Sequence, residues 1–222
     1  MALLPSASSR ARKSPGRART LVRDRSPERR RMTRLLWNYN RAWTLLDEDG
    51  HPDQVTDAAV EQALAQAKHR PKRRERTTLR SVMREVVAFQ AAAKAESCFV
   101  LSTTSPEVRV IGYAVVHSIA GIDRADTFVE DARAPRPSGI GDAGVTMLDL
   151  PVGRATLVEM RERTSGRRAQ SVKLVVRAIV PIVEDANDMT VVVSFFVPDE
   201  NDSTLARPML DELLRDMRVD WR

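Results

Sequence analysis

Cys98, His117, a glycine-rich run and two arginine blocks carry the chemistry available to this chain. Cys98 beside His117 would supply a thiol nucleophile and its base. Both fall in segments that read as strands, where a cysteine is usually buried filler, so no catalysis is expected there. Gly139-Ile140-Gly141-Asp142-Ala143-Gly144 matches Gly-x-Gly-x-x-Gly. A dinucleotide loop needs a strand before it and a helix after it, so that the helix N-terminus meets the pyrophosphate. Here a strand follows, and the run reads as a flexible loop. Asp47–Asp53 looks like a calcium loop, but its glycine stands fourth rather than sixth and Ala58 stands twelfth. It reads as a turn, with Asp53 or Thr56 capping the next helix. Asp123, Asp126, Glu130 and Asp131 show no ligand spacing and read as solvated acids. One Cys and three His exclude a Cys-rich zinc site and speak against a His-based one. No phosphate-loop, zinc-protease or serine-hydrolase motif is present. We expect no catalytic residue, no metal and no cofactor.

The net charge of +6 over 222 residues hides an uneven distribution. Residues 1–34 hold 11 Lys/Arg and two acids, so the remainder is slightly acidic. A second block, Lys68–Arg80, has seven positive groups and only Glu75 negative. Within it Arg70, Lys72, Arg73, Arg74 and Arg76 are the best candidates to face an anionic partner. No aromatic residues are interleaved and no nucleic-acid-binding motif surrounds them, so a solvated corner is the favoured reading. Arg outnumbers Lys 31 to 5, a pattern usual in GC-rich genomes, which weakens any inference from arginine alone.

These residues sit on a readable series of elements. Residues 1–34, rich in Ser, Pro, Gly and Arg, read as a disordered tail. Foldable sequence starts at Thr33, which suits Met32 as an alternative start. Trp37 and Trp43 read as anchors onto a core rather than stacking platforms. Helical spacing marks 56–69, ended by Pro71, and 76–96, with a stripe at Leu79, Val82, Met83, Val86 and Phe89. Strands are expected at 98–104, 108–119, 145–150, 154–161, 172–180 and 189–197. Short turns make the last four an antiparallel meander. Residues 123–144 read as a loop. Leu205, Met209, Leu210, Leu213, Leu214 and Met217 mark a last helix, with Pro208 tolerable only in its first turn. The expectation is an α+β fold. It has a roughly six-stranded antiparallel sheet packed by two N-terminal helices and one C-terminal helix. The helical part is 35–97, the sheet 98–202 and the last helix 203–220, all one domain over 35–222.

A strand ending in Asp149-Leu150-Pro151-Val152-Gly153-Arg154-Ala155 leads through two long strands to Val191–Pro198, a final helix and Asp220-Trp221. This order resembles actinobacterial proteins of unassigned function similar to the Mog1/PsbP-like α/β/α sandwich. The resemblance implies a fold used for binding and accessory roles, without a shared catalytic apparatus, and it transfers no site residue.

The expected function is therefore a non-enzymatic, cytoplasmic protein-interaction or accessory module, whose partner is another protein. The alternative is nucleic-acid binding through the tail and the 68–80 block. A further alternative is an enzyme whose site no motif betrays. No run is long and apolar enough to span a bilayer, and Asn201-Asp202-Ser203 is a sequon without a secretion signal to give it meaning.

Overall fold

A computed structural model describes residues 33–47, 50–165, 170–183 and 188–221. The basic tail lies outside the described residues, apart from the backbone of its last two. The chain runs β1 (Thr33–Trp37), β2 (Trp43–Leu46), α1 (Pro52–Ala65), α2 (Arg73–Ala93), β3 (Ser97–Thr103) and β4 (Arg109–Ala120). It continues with α3 (Ala125–Arg133), β5 (Gly139–Leu150), β6 (Gly153–Ser165), β7 (Gln170–Ile182) and β8 (Met189–Val197). A 3-10 turn (Glu200–Asp202), α4 (Ser203–Arg215) and β9 (Met217–Trp221) close it. The fold is α+β. Seven strands form one antiparallel sheet in the order β2-β3-β4-β8-β7-β6-β5, and β1 pairs with β9 in a separate ribbon. β5 to β8 form the expected meander.

Side chains alternate across each strand, and the two faces of the sheet are covered differently. On one face Phe99, Ala114, Val116, Leu157, Val176, Val193 and Phe195 join Ala206, Leu210, Leu213 and Leu214 of α4 in a single core. Trp43, Trp37, Tyr39 and Met217 pack into that core, so the tryptophans are anchors. Phe195 lies directly on Gly112. A Cβ there would come within 2.7 Å of its ring, so the glycine is a requirement of close packing. On the other face, Cys98, Val100 and Val115 pack under α1 and α2. Val158 and Ile179 pack separately under α3, around Ala132.

The helices follow from their apolar spacing and their ends. α1 starts with Pro52 in its first turn, preceded by His51 as N-cap, so neither Asp53 nor Thr56 caps it. Thr56 instead donates its hydroxyl to the Pro52 carbonyl (2.8 Å). α2 buries Leu79, Met83, Val86, Val87 and Gln90, one stripe at helical spacing. The Lys72 N–H donates to Glu75 at its start (3.2 Å), half of a capping box. Lys94 takes the left-handed conformation at its end (φ 50°).

Four expectations are corrected. The 35–97 part is not all helical, because its first residues form β1 and β2. Such four- and five-residue strands exist through their partners rather than through any period of their own. The 123–144 segment is not a loop. It holds α3 and half of β5, since Ala125, Phe128, Val129 and Ala132 make a short apolar face that docks on β6 and β7. The C-terminal helix stops at Arg215 and the chain turns into β9. Pro208 is sixth in α4, deeper than the first turn, and leaves the Thr204 carbonyl without its helical donor.

Candidate functional site

The basic corner is the connection between α1 and α2 with the first turns of α2. Arg70, Lys72, Arg73, Arg74 and Arg76 are all exposed there. They do not act as one group. Arg76 reaches Glu61 of α1 (2.5 Å), Arg80 pairs with Asp57, and Arg84 lies 3.4 Å from Asp53. These pairs form a ladder that ties α2 to α1. Glu75 accepts from His69 (3.1 Å), whose hydrogen bond holds the carboxyl below its ordinary value. Arg70, Arg73 and Arg74 have no carboxylate partner among the described residues, whereas Lys72 sits beside Glu75, attracting its carboxylate.

The nucleophile reading of Cys98 fails on chemistry. Its thiol is buried beneath α1 and α2, and burial pushes its pKa up to about 12. A thiolate is the reactive form, so this sulfur is inert near neutral pH. The glycine-rich run is not a loop but the first half of β5. It is interrupted by a register shift between Ile140 and Gly144, with Gly141 at φ 72°. Asp126, Glu130 and Asp131 lie on α3, and among the described residues no group of His, Cys, Asp and Glu is gathered for a metal. An open cavity of about 580 Å³ is lined by Arg41, Gln66 and Ser102–Ser105. The one buried hydroxyl at its wall, Ser102 Oγ, is shut off from solvent and so does not face into it.

Two features were not anticipated. One is the edge of the sheet. β5 is twelve residues long, pairs only with β6, and is exposed or half-buried over nearly its whole length. Val145 and Met147, on the same face, are 42% and 59% exposed. The other is a charged cluster on the face covered by α2 and α3. The Glu162 side chain is 6% exposed, and Arg136 and Lys173 donate to its two oxygens from 3.0 and 2.8 Å. Burial alone would raise the Glu162 carboxyl. Lys173, and after it Arg136, outweigh that and hold it below its ordinary value. Four residues along β7 from Lys173, on the same face, Arg177 is half-buried. Burial, and then the repulsion of Arg136, lower its pKa. Its Nε is closed to solvent and has no hydrogen-bond partner. Arg177 inside the apolar stretch Leu174–Val180 was a legible signal, because a charge in a buried strand is rare.

Among the described residues no helix is long and apolar enough to cross a membrane. No protein family and no curated protein matches the chain. Among solved structures it is similar to LpqN, described as involved in cell envelope biogenesis of Mycobacterium tuberculosis. The TM-score is 0.42 and the identity 9%, over 88% of this chain and 86% of that one. It is also similar to a protein from Bacteroides thetaiotaomicron VPI-5482 (TM-score 0.37, 10% identity), over 85% of this chain and 45% of that one. Likenesses at this level carry no function across.

Proposed function

We propose that this chain is a non-enzymatic, cytoplasmic accessory module of Mog1/PsbP-like kind that binds an extended segment of a partner protein along β5. The edge itself supports this reading. Edge strands are normally shielded by charge, proline, bulges or shortness. β2, at the opposite edge, is short. β5 has a bulge only in its first half. From Val145 to Leu150 its register with β6 is unbroken, with no proline or lysine, and Asp149 is already paired with Arg154 (2.7 Å). An added strand would satisfy the outward backbone groups and cover Val145 and Met147. Asp142, exposed toward the start of β5, suits a segment with a basic residue beside its apolar part.

The test is affinity capture from the native host with nuclease present, comparing the native chain with a Val145→Lys, Met147→Lys variant. Both positions are exposed, so the variant keeps its fold. Proteins retained by the native chain and lost by the variant support the reading. Equal retention by both overturns it. A second reading, nucleic-acid binding, draws on Arg70, Lys72, Arg73 and Arg74, the four exposed cations of this corner that make no side-chain ion pair with α1. Four phosphate contacts would give a slope of log affinity on log salt of about −3.6 for duplex DNA. A flat dependence overturns that reading.

A further inference from the structure

We infer that the sheet face between α2 and α3 is a binding site for a small organic anion with an aromatic body. The apolar cover of that face is divided, with one cluster under α1 and α2 and another under α3. β8 and the adjoining part of β7 lie at the division. There the register sets Arg177 directly opposite Ser194, and Ser194 opposite Val115. The Arg177 and Ser194 side chains therefore rise from the same face of neighbouring strands, and both are half-buried. A guanidinium and a hydroxyl so placed are the groups that take a carboxylate or sulfonate.

The charge balance points the same way. Three cations, Arg136, Lys173 and Arg177, meet on this face. The two Glu162 oxygens are taken by Arg136 and Lys173. Glu162, and after it Asp131, attract Arg177 but give it no hydrogen bond, and Arg177 Nε remains without a partner although closed to solvent. A buried donor left unsatisfied is costly, and an acid group from a ligand would relieve it.

The place for the body of the ligand is one pleat along. Phe196 is two residues beyond Ser194 on the same face and stands opposite both Val175 and Tyr113. Tyr113 and Phe196 stack, with ring centroids 5.0 Å apart and 22° between planes. Phe89 of α2 sets its ring edge-on to both, at 5.6 and 5.3 Å, and is 37% exposed at the rim. One strand across and two residues along is about 8 Å from Arg177, the span of one or two fused rings.

The probe is 2-naphthoate, titrated into the full ¹⁵N-labelled chain by NMR, beside neutral 2-naphthalenemethanol and inorganic phosphate. The expected result is saturable binding of naphthoate, with shifts in the amides of 113–117, 175–179 and 192–196. The alcohol and phosphate should each bind at least tenfold more weakly. Arg177→Met should weaken naphthoate at least tenfold. Phe89→Ser, which removes an exposed rim ring and leaves the buried stripe Leu79, Met83, Val86, Val87 and Gln90 of α2 in place, should weaken it several-fold. Four results overturn the inference: no saturation up to millimolar naphthoate, equal binding of the alcohol, unchanged binding by Phe89→Ser, or shifts confined to residues 66–76.

Discussion

Replacing Glu162 by Gln removes the carboxylate that two cations share. The acid is almost fully buried, while the Arg136 and Lys173 side chains are 30% and 31% exposed. Exposed ion pairs contribute about 0–1 kcal/mol, and breaking a fully buried pair costs about 3–5 kcal/mol. With one partner buried and two at the margin, the loss should be about 2 kcal/mol, between those bounds. For a domain of this size that lowers Tm by about 4–8 °C. The pH dependence has a definite sign. The Glu162 pKa is lowered on folding from 4.5. A carboxyl of that kind stabilises the fold above its unfolded pKa, and the contribution disappears as pH falls through the lowered folded value. The gap between native chain and variant should be full at pH 7 and close progressively below pH 4.5. Urea unfolding followed by tryptophan fluorescence across that range measures it. Equal midpoints at pH 7, or a gap that widens in acid, would refute the account of the cluster.

Gly112→Ala places a methyl within 2.7 Å of the Phe195 ring, which is fully buried and would have to shift. It should destabilise by about 1–3 kcal/mol, read as a lower urea midpoint at unchanged slope, and an unchanged midpoint contradicts the packing. Cys98 should resist a disulfide reagent at pH 8 in the native state and react fully in urea, because burial pushes its pKa up to about 12. Rapid native labelling would mean that α1 and α2 open readily. Exchanging Arg76, Arg80 and Arg84 for Gln should lower stability by less than about 1 kcal/mol per pair, because all three pairs are exposed. A collapse of the fold would give the ladder a weight that exposed charges do not have.

The long elements were legible because each carries its own period. α2 repeats its apolar residues every three or four, and β8 alternates Val191, Val193, Phe195 and Val197 inward. The meander followed from turn lengths alone. What failed were elements whose identity is conferred by a neighbour. β2 is a strand because Trp43–Leu46 pairs with Cys98–Leu101. β9 exists because β1 is there to receive it. The first half of β5 carries three glycines, and only Ile140 and Ala143 in it are even half-buried, so no hydrophobic alternation marks it. Among the candidate site residues, spacing could list Arg70 to Arg76 but not sort them. Glu61, the residue that claims Arg76, lies on another helix fifteen positions away.

The unequal faces of the sheet explain where function can reside. The face toward α4 is one continuous apolar cluster from Trp43 on β2 to Leu150 on β5. Its centre is committed to packing, where a polar ligand group would be stranded, while at its margin Glu159 and Arg161 of β6 pair with Arg207 and Glu200. The opposite face has two helical covers that the chain supplies from different places, α1 with α2 and then α3. α2 reaches β8 at Phe196, through Phe89, and beyond that contact Ser194 and Arg177 stand half-buried beside Val192. A half-buried arginine with an unmet donor lowers stability where an aliphatic side chain would raise it. Its presence at the division between two otherwise apolar clusters is therefore better explained by what it can hold than by what it contributes to the fold. One substitution makes the distinction measurable: Arg177→Met should unfold at a higher urea concentration than the native chain while losing naphthoate, whereas a purely structural arginine would lose both together.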